Sequence, residues 1–212
     1  MDQILKNYSL LNHLNVSRET LLDFEKFSSM IIEKNGEINI VSKESAKEEI
    51  IRNRHIIDSA QVIDFIDLKH DKTTDLGAGG GFPGIISAIM LKHMKKNIKV
   101  NLYEKSHHKS SFLRDISRKL NLDTEVIQKD IFKTTELKSG TIMARAFKPL
   151  PLVLELVYKN FNSYKNLVLF MGKSGKKILE ETLKTWELEF EKKESITSKE
   201  SFLLNITKIN KK

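Results

Sequence analysis

Apolar residues recur at helical spacing through the first third of the chain and then give way to short alternating runs. Leu21, Phe24, Phe27 and Ile31 share one face of a helix that Ser17 can cap and Gly36 can end. A link at 38–42 leads to a second helical region from about Ser45. From Lys72 onward extended and helical runs alternate. Extended runs are expected at 73–76, 98–103, 124–127, 141–144 and 166–171. Between them lie an apolar helical run after Gly84, a helix from about His107 carrying Phe112, Leu113, Ile116 and Leu120, and a third through Leu152, Val153, Leu156 and Val157. A last helix is expected near 175–185. Two β-like runs, 186–194 and 202–209, close the chain with no helix between them. Alternation of this kind predicts an α/β fold, Rossmann-like, with a mostly parallel sheet and a C-terminal antiparallel hairpin. The expected division is an N-terminal helical segment, 1–70, packed on an α/β domain, 71–212, with the joint near 67–72.

Within that pattern, five of the nine glycines fall in Asp75-Leu76-Gly77-Ala78-Gly79-Gly80-Gly81-Phe82-Pro83-Gly84. A strand that breaks on glycines and resumes as a helix lets backbone approach a ligand where a Cβ would collide. Two ligands fit. Asp75, Gly77, Gly79 and Gly81 suit S-adenosylmethionine, with a carboxylate for its ammonium and a helix N-terminus for its carboxylate. Gly79, Gly81 and Gly84 also match the dinucleotide fingerprint. Glu104 ends the next extended run twenty residues after Gly84, where an acid accepts from the ribose hydroxyls of either ligand. Gly172-Lys173-Ser174 resembles the tail of a phosphate loop, but Leu167 stands where its first glycine is required.

Composition narrows the chemistry. The 212 residues contain no cysteine, which excludes disulfides, thiolate metal sites and thiolate nucleophiles. Neither a membrane span nor a signal-peptide core is present in the sequence, so a cytoplasmic protein is expected, without metal and as a monomer. The net charge of +8 is uneven: residues 1–70 hold nine Lys/Arg against twelve Asp/Glu, leaving +11 on 71–212. A basic catalytic half suits a polyanion. Only six of the 36 basic residues are arginine, and Arg52, Arg54, Arg114, Arg118 and Arg145 lie in or beside the motifs. For the stretch 52–59 a buried polar hinge with an Arg54–Asp58 pair is an equal alternative.

The order of elements resembles class I methyltransferases, and no Tyr-x-x-x-Lys exists to serve a short-chain dehydrogenase. Arg54-His55-Ile56-Ile57-Asp58-Ser59, the Gly-Phe-Pro-Gly form of the glycine loop, Lys109-Ser110-Ser111-Phe112-Leu113 and Ala144-Arg145-Ala146-Phe147-Lys148-Pro149-Leu150 are similar to the glucose-inhibited division protein B (GidB/RsmG) family. These are bacterial enzymes that methylate a guanine N7 in 16S ribosomal RNA of the small subunit. The resemblance covers about 38–177. It implies S-adenosyl-L-methionine as cofactor and cofactor contacts at Gly77, Phe82, Asp130, Ile131 and Arg145. Glu104 stands where the family commonly has aspartate, His108-Lys109 where it often has two lysines, and Asn39-Ile40-Val41 where Asn-Leu-Thr is frequent. It also implies RNA contacts, for which Arg52, Arg54, His55, Lys109, Arg114, Lys148 and Lys173 are the candidates. Guanine N7 is a lone-pair acceptor, so no general base is required and alignment supplies most of the catalysis. Arg145 is expected to position the base by donating its fork to guanine O6 or a phosphate, with an ion pair to Asp75 or Asp130 as the alternative. Two other readings remain: an NAD(P)-dependent oxidoreductase and a non-catalytic RNA-binding or ribosome-assembly protein.

Overall fold

The computed structural model describes residues 3–212; Met1 and Asp2, the start of the expected segment 1–70, lie outside them. Helix α1 (Arg18–Asn35) begins where Ser17 Oγ accepts the Thr20 N–H at 3.3 Å. Gly36 ends it in a right-handed conformation, so a left-handed cap is not what stops the helix. The second helix, α2, runs over 48–65 and changes type along its length. Its middle, Ile51–Ile57, is a π-helix, and it tightens to 3₁₀ at Gln61–Phe65.

Seven strands form the main sheet: β1 (Lys72–Leu76), β2 (Lys99–Tyr103), β3 (Thr124–Ile127), β4 (Thr141–Arg145), β5 (Asn166–Met171), β6 (Trp186–Ser195) and β7 (Ser198–Lys211). Their order is β3-β2-β1-β4-β5-β7-β6. The first five are mutually parallel, while β7 runs antiparallel to both β5 and β6. The expected mixed sheet with a terminal hairpin is therefore present. The connecting helices are α3 (Gly84–His93), α4 (His107–Lys119), α5 (Leu150–Asn160) and α6 (Gly175–Thr182).

Strand alternation sends neighbouring residues into two cores. Leu102, Met143, Val168 and Leu203 pack with α1 to α4, including Phe24, Phe27, Ile31, Ile57 and Ile86. Tyr103, Ile142, Ala144, Leu167, Leu169 and Leu204 pack with α5 and α6 on the opposite face. Helix α3 is apolar on every side and every residue from Gly84 to Leu91 is buried, as a helix between a sheet and further helices must be. The helices before β1 thus share a core with the sheet. Helix α1 reaches the glycine loop through Phe27, beside Gly81, and the link after it does so through Ile40, which packs against Gly80. Among the described residues, no helix is long and apolar enough to cross a membrane.

Candidate active site

Parallel strands end together, and the loops beyond β1, β2, β3 and β4 enclose a cavity of about 480 Å³. Gly77, Gly79, Phe82, Glu104, Lys109, Asp130, Ile131, Arg145 and Lys148 all line it. Nine residues expected from the sequence to serve the cofactor or the RNA are thus brought to one place. The glycine loop is fixed to β2 by the Ala78 N–H, which donates to the Tyr103 carbonyl at 2.8 Å. Glu104 Oε2 accepts the Gly79 N–H at 3.0 Å and Oε1 accepts the Ser106 N–H at 2.7 Å. A carboxylate has about four acceptor positions, so two remain for a diol. Gly77 and Gly79 adopt positive φ, 69° and 54°, and present bare backbone to the cavity.

Asp75 and Gly81 do not line it. The Asp75 carboxyl is wholly buried, and Oδ2 accepts the Gly84 N–H at 2.8 Å, so it caps α3 from beneath the loop. That corrects the expectation of a direct partner for a ligand ammonium: the side chain points into the helix start, away from the cavity lining. Oδ1 has no partner. Burial, then the nearby Glu104 charge, push the Asp75 pKa up to about 7, against one backbone hydrogen bond. Between its unfolded value and about 7 the folded chain holds a proton that the unfolded chain has lost. Asp75 therefore favours the fold most at acid pH, and that contribution is lost as pH rises to about 7. Asp75→Asn removes the slope. Its stability relative to the parent, measured by denaturant unfolding, should rise between about pH 4 and pH 7 and level off above. A constant difference would place the Asp75 charge elsewhere. Gly81 is also buried; a Cβ there would stand 2.8 Å from Ile85 and 3.0 Å from Phe27.

Arg145 departs furthest from expectation. Its partner is neither Asp75 nor Asp130. Nη1 bonds His55 Nδ1 at 2.8 Å, while Nη2 donates to the Arg54 carbonyl and faces Asp58 Oδ2 at 3.4 Å. Asp58 is thus paired with Arg145, not with Arg54. Both bidentate edges of a guanidinium include Nη2, and here Nη2 is turned to the protein. No fork is left to read guanine, and Arg145 offers the cavity single N–H groups only. Ala146 follows at a positive φ of 51°, and that turn lays Phe147 over Gly77 so closely that a Gly77 Cβ would sit 2.2 Å from Phe147 Cδ2.

Burial above all, then the Arg145 and Arg54 charges, hold the His55 pKa down to about 4, so its ring is neutral at pH 7. Its ring stacks on Phe82 at 5.0 Å. Arg52 proves to be structural: its guanidinium is half-buried, bonded to Glu25 and Glu48 and set over the Tyr8 ring. Arg54 is exposed beside the site; Arg114 is exposed on α4, and Lys173 is ion-paired with Glu200 at 3.3 Å. Sequence reasoning missed Lys105, Lys129, Phe132 and Leu152 among the lining residues. Lys105, Lys129 and Phe132 flank residues that it did select, at the same strand ends, and that adjacency was the available signal. Among the described residues, Lys105, Lys109, Lys129 and Lys148 make no ion pair, although all four ring the cavity. No group of three or more His, Asp or Glu is placed to hold a metal ion among those residues.

The family described as rRNA small subunit methyltransferase G matches residues 20–206. A ribosomal RNA small subunit methyltransferase G from Pelagibacter ubique is 65% identical over 212 residues, covering 100% of both chains. One from Ruegeria pomeroyi is 34% identical over 200 residues, covering 94% of this chain and 97% of its own. Solved structures share the fold at low identity. A SAM dependent methyltransferase from Aquifex aeolicus has a TM-score of 0.53 at 15% identity, covering 71% of this chain and 89% of its own. The 16S rRNA methylase RmtB also scores 0.53, at 14% identity, with coverage of 91% and 76%.

Proposed function

The chain belongs to the rRNA small subunit methyltransferase G family, and from that premise we propose that it methylates N7 of a guanine in 16S ribosomal RNA, with S-adenosylmethionine as donor. The observation that carries this reading is the cavity itself. Bare backbone at Gly79, the spare acceptors of Glu104 and the polar end at Asp130 fit an amino acid joined to a nucleoside. When bound, S-adenosylmethionine supplies an electrophilic sulfonium methyl. The residues here hold and orient. Glu104 accepts from ribose, the glycine loop admits the amino-acid end, and Ile131 covers the base. The exposed Phe132, stacked on Phe147 at 6.0 Å, offers a ring face on which an extruded base stacks, whereas Phe82 is buried against His55 and Phe27.

No side chain in the cavity needs to remove a proton, because N7 carries none. His55 is neutral but engaged with Arg145 through Nδ1, and Asp75 is sealed beneath the loop. The two carboxylates that line the cavity, Glu104 and Asp130, are taken up by the cofactor in this reading, and a target that needs no base suits a lone-pair nucleophile better than an exocyclic amine. Four unpaired lysines at the rim suit phosphates. Their position, at the strand ends of the same domain, favours an enzyme over a purely binding role. A paired assay tests the reading. Labelled methyl should pass to small-subunit RNA lacking the modification and fail to pass to the same transcript made with 7-deazaguanine. Equal transfer to both would exclude N7.

A further inference from the structure

Three acceptors from one short segment, the Arg54 carbonyl, His55 Nδ1 and Asp58 Oδ2, converge on the guanidinium of Arg145, about ninety residues away. Asp58 caps the π-helical stretch, its N–H bonding the His55 carbonyl, and the Arg54 carbonyl accepts from Arg145 at the end of β4. Two of the three acceptors, Asp58 and His55, are themselves braced. Asp58 Oδ1 accepts from Ser195 Oγ at 2.8 Å, Thr197 Oγ1 at 3.0 Å and Gln61 Nε2 at 3.1 Å. Gln61 Oε1 in turn takes the Ile196 N–H at 2.9 Å, so the turn of the terminal hairpin is tied to α2. His55 is stacked on Phe82, and the guanidinium lies over the Phe170 ring at 5.9 Å.

What this bracing fixes is the start of the loop after β4. Arg145 immediately precedes Ala146, whose left-handed backbone is costly for a residue with a Cβ, and Phe147, which covers Gly77 in the cavity. A free arginine would let that turn relax. We infer that His55 and Asp58 are positioning residues for methyl transfer: by clamping Arg145 they hold Phe147 at the glycine loop, where donor and target base must meet. The inference rests on the functional reading above for its kinetic consequence and on geometry alone for the clamp.

Two measurements separate those parts. The clamp predicts hindered rotation of one guanidinium, so the Nη1 and Nη2 nitrogens of Arg145 give separate nitrogen-15 signals in the native protein. The chain has only six arginines, which makes assignment tractable. Merged signals in the folded native protein would overturn the clamp, whatever reaction the enzyme performs. The kinetic part uses variants that differ in one acceptor. An asparagine oxygen can replace Nδ1, so His55→Asn should keep kcat within about threefold. His55→Leu and Asp58→Ala should each lower kcat by about tenfold or more, with the KM for RNA and cofactor affinity changed by less than about threefold. Equal losses in His55→Asn and His55→Leu, or losses in KM alone, would overturn the positioning role. Should native protein show no transfer to RNA, the functional reading fails while the nitrogen-15 result still decides the clamp.

Discussion

Gly79→Val should leave a folded protein that binds S-adenosylmethionine about a hundredfold or more weakly, a loss of roughly 2.7 kcal/mol or more. The glycine sits at a φ of 54° with its backbone on the cavity wall, and the nearest protein atom to a Cβ there is the Gly77 carbonyl at 3.7 Å. The protein therefore has room for the added atoms. The ligand does not. Left-handed backbone costs a β-branched residue about 1–2 kcal/mol, which a domain of ordinary stability survives. Gly84→Ala gives the opposite pattern, because its Cβ would stand 2.3 Å from Leu102 Cδ2 and 2.6 Å from Asp75 Oδ2, both buried. That variant should lose about 1–3 kcal/mol of stability before any ligand is added. Calorimetry for the first and denaturant unfolding for both check the contrast. Normal cofactor binding by folded Gly79→Val would move the pocket away from this loop.

The second large effect concerns RNA. Replacing Lys105, Lys109, Lys129 and Lys148 together by glutamine should flatten the dependence of log affinity on log salt by about 3. RNA affinity near 0.1 M salt should fall on the order of tenfold to a hundredfold. These lysines surround the cavity without acidic partners among the described residues, so their removal strands no buried carboxylate. Cofactor affinity should change by less than about threefold, since exposed charges act weakly on a ligand of small net charge. Filter binding across a salt series measures the slope. An unchanged slope would mean that RNA docks on another face, such as the exposed side of α4 near Arg114.

Much of this was legible in the chain because it is local. Alternation gave the strands, Ser17 gave the start of α1, and two apolar runs without a helix between them gave the antiparallel edge. Glu104 was legible as the acid that ends the second strand, whereas Asp130 and Ile131 came only through the resemblance to the family; all three line one cavity with Arg145. What failed depended on packing between distant segments. Nothing in Arg145 and its neighbours indicates that helix α2 would supply three acceptors for its guanidinium. Asp75 occupies the right position in its motif, but which way its carboxyl faces depends on how closely Gly84 approaches the end of β1. Arg52 looked like a phosphate ligand because arginine is scarce here; Glu25, 27 positions earlier, claims it through the packing of α1 on α2. The π-turn in α2 has no periodic signature that a helix of ordinary pitch lacks.

Transfer of the methyl group to N7 of one guanine, as proposed above, has a direct chemical test. Small-subunit RNA that lacks the modification, incubated with the protein and S-adenosylmethionine, can be reduced and cleaved with aniline, a treatment that cuts at N7-methylguanine. One new cleavage site is expected, dependent on both protein and cofactor and matching the stoichiometry of incorporated label. Label incorporated without cleavage, or no incorporation into either free RNA or assembled subunits, would contradict it.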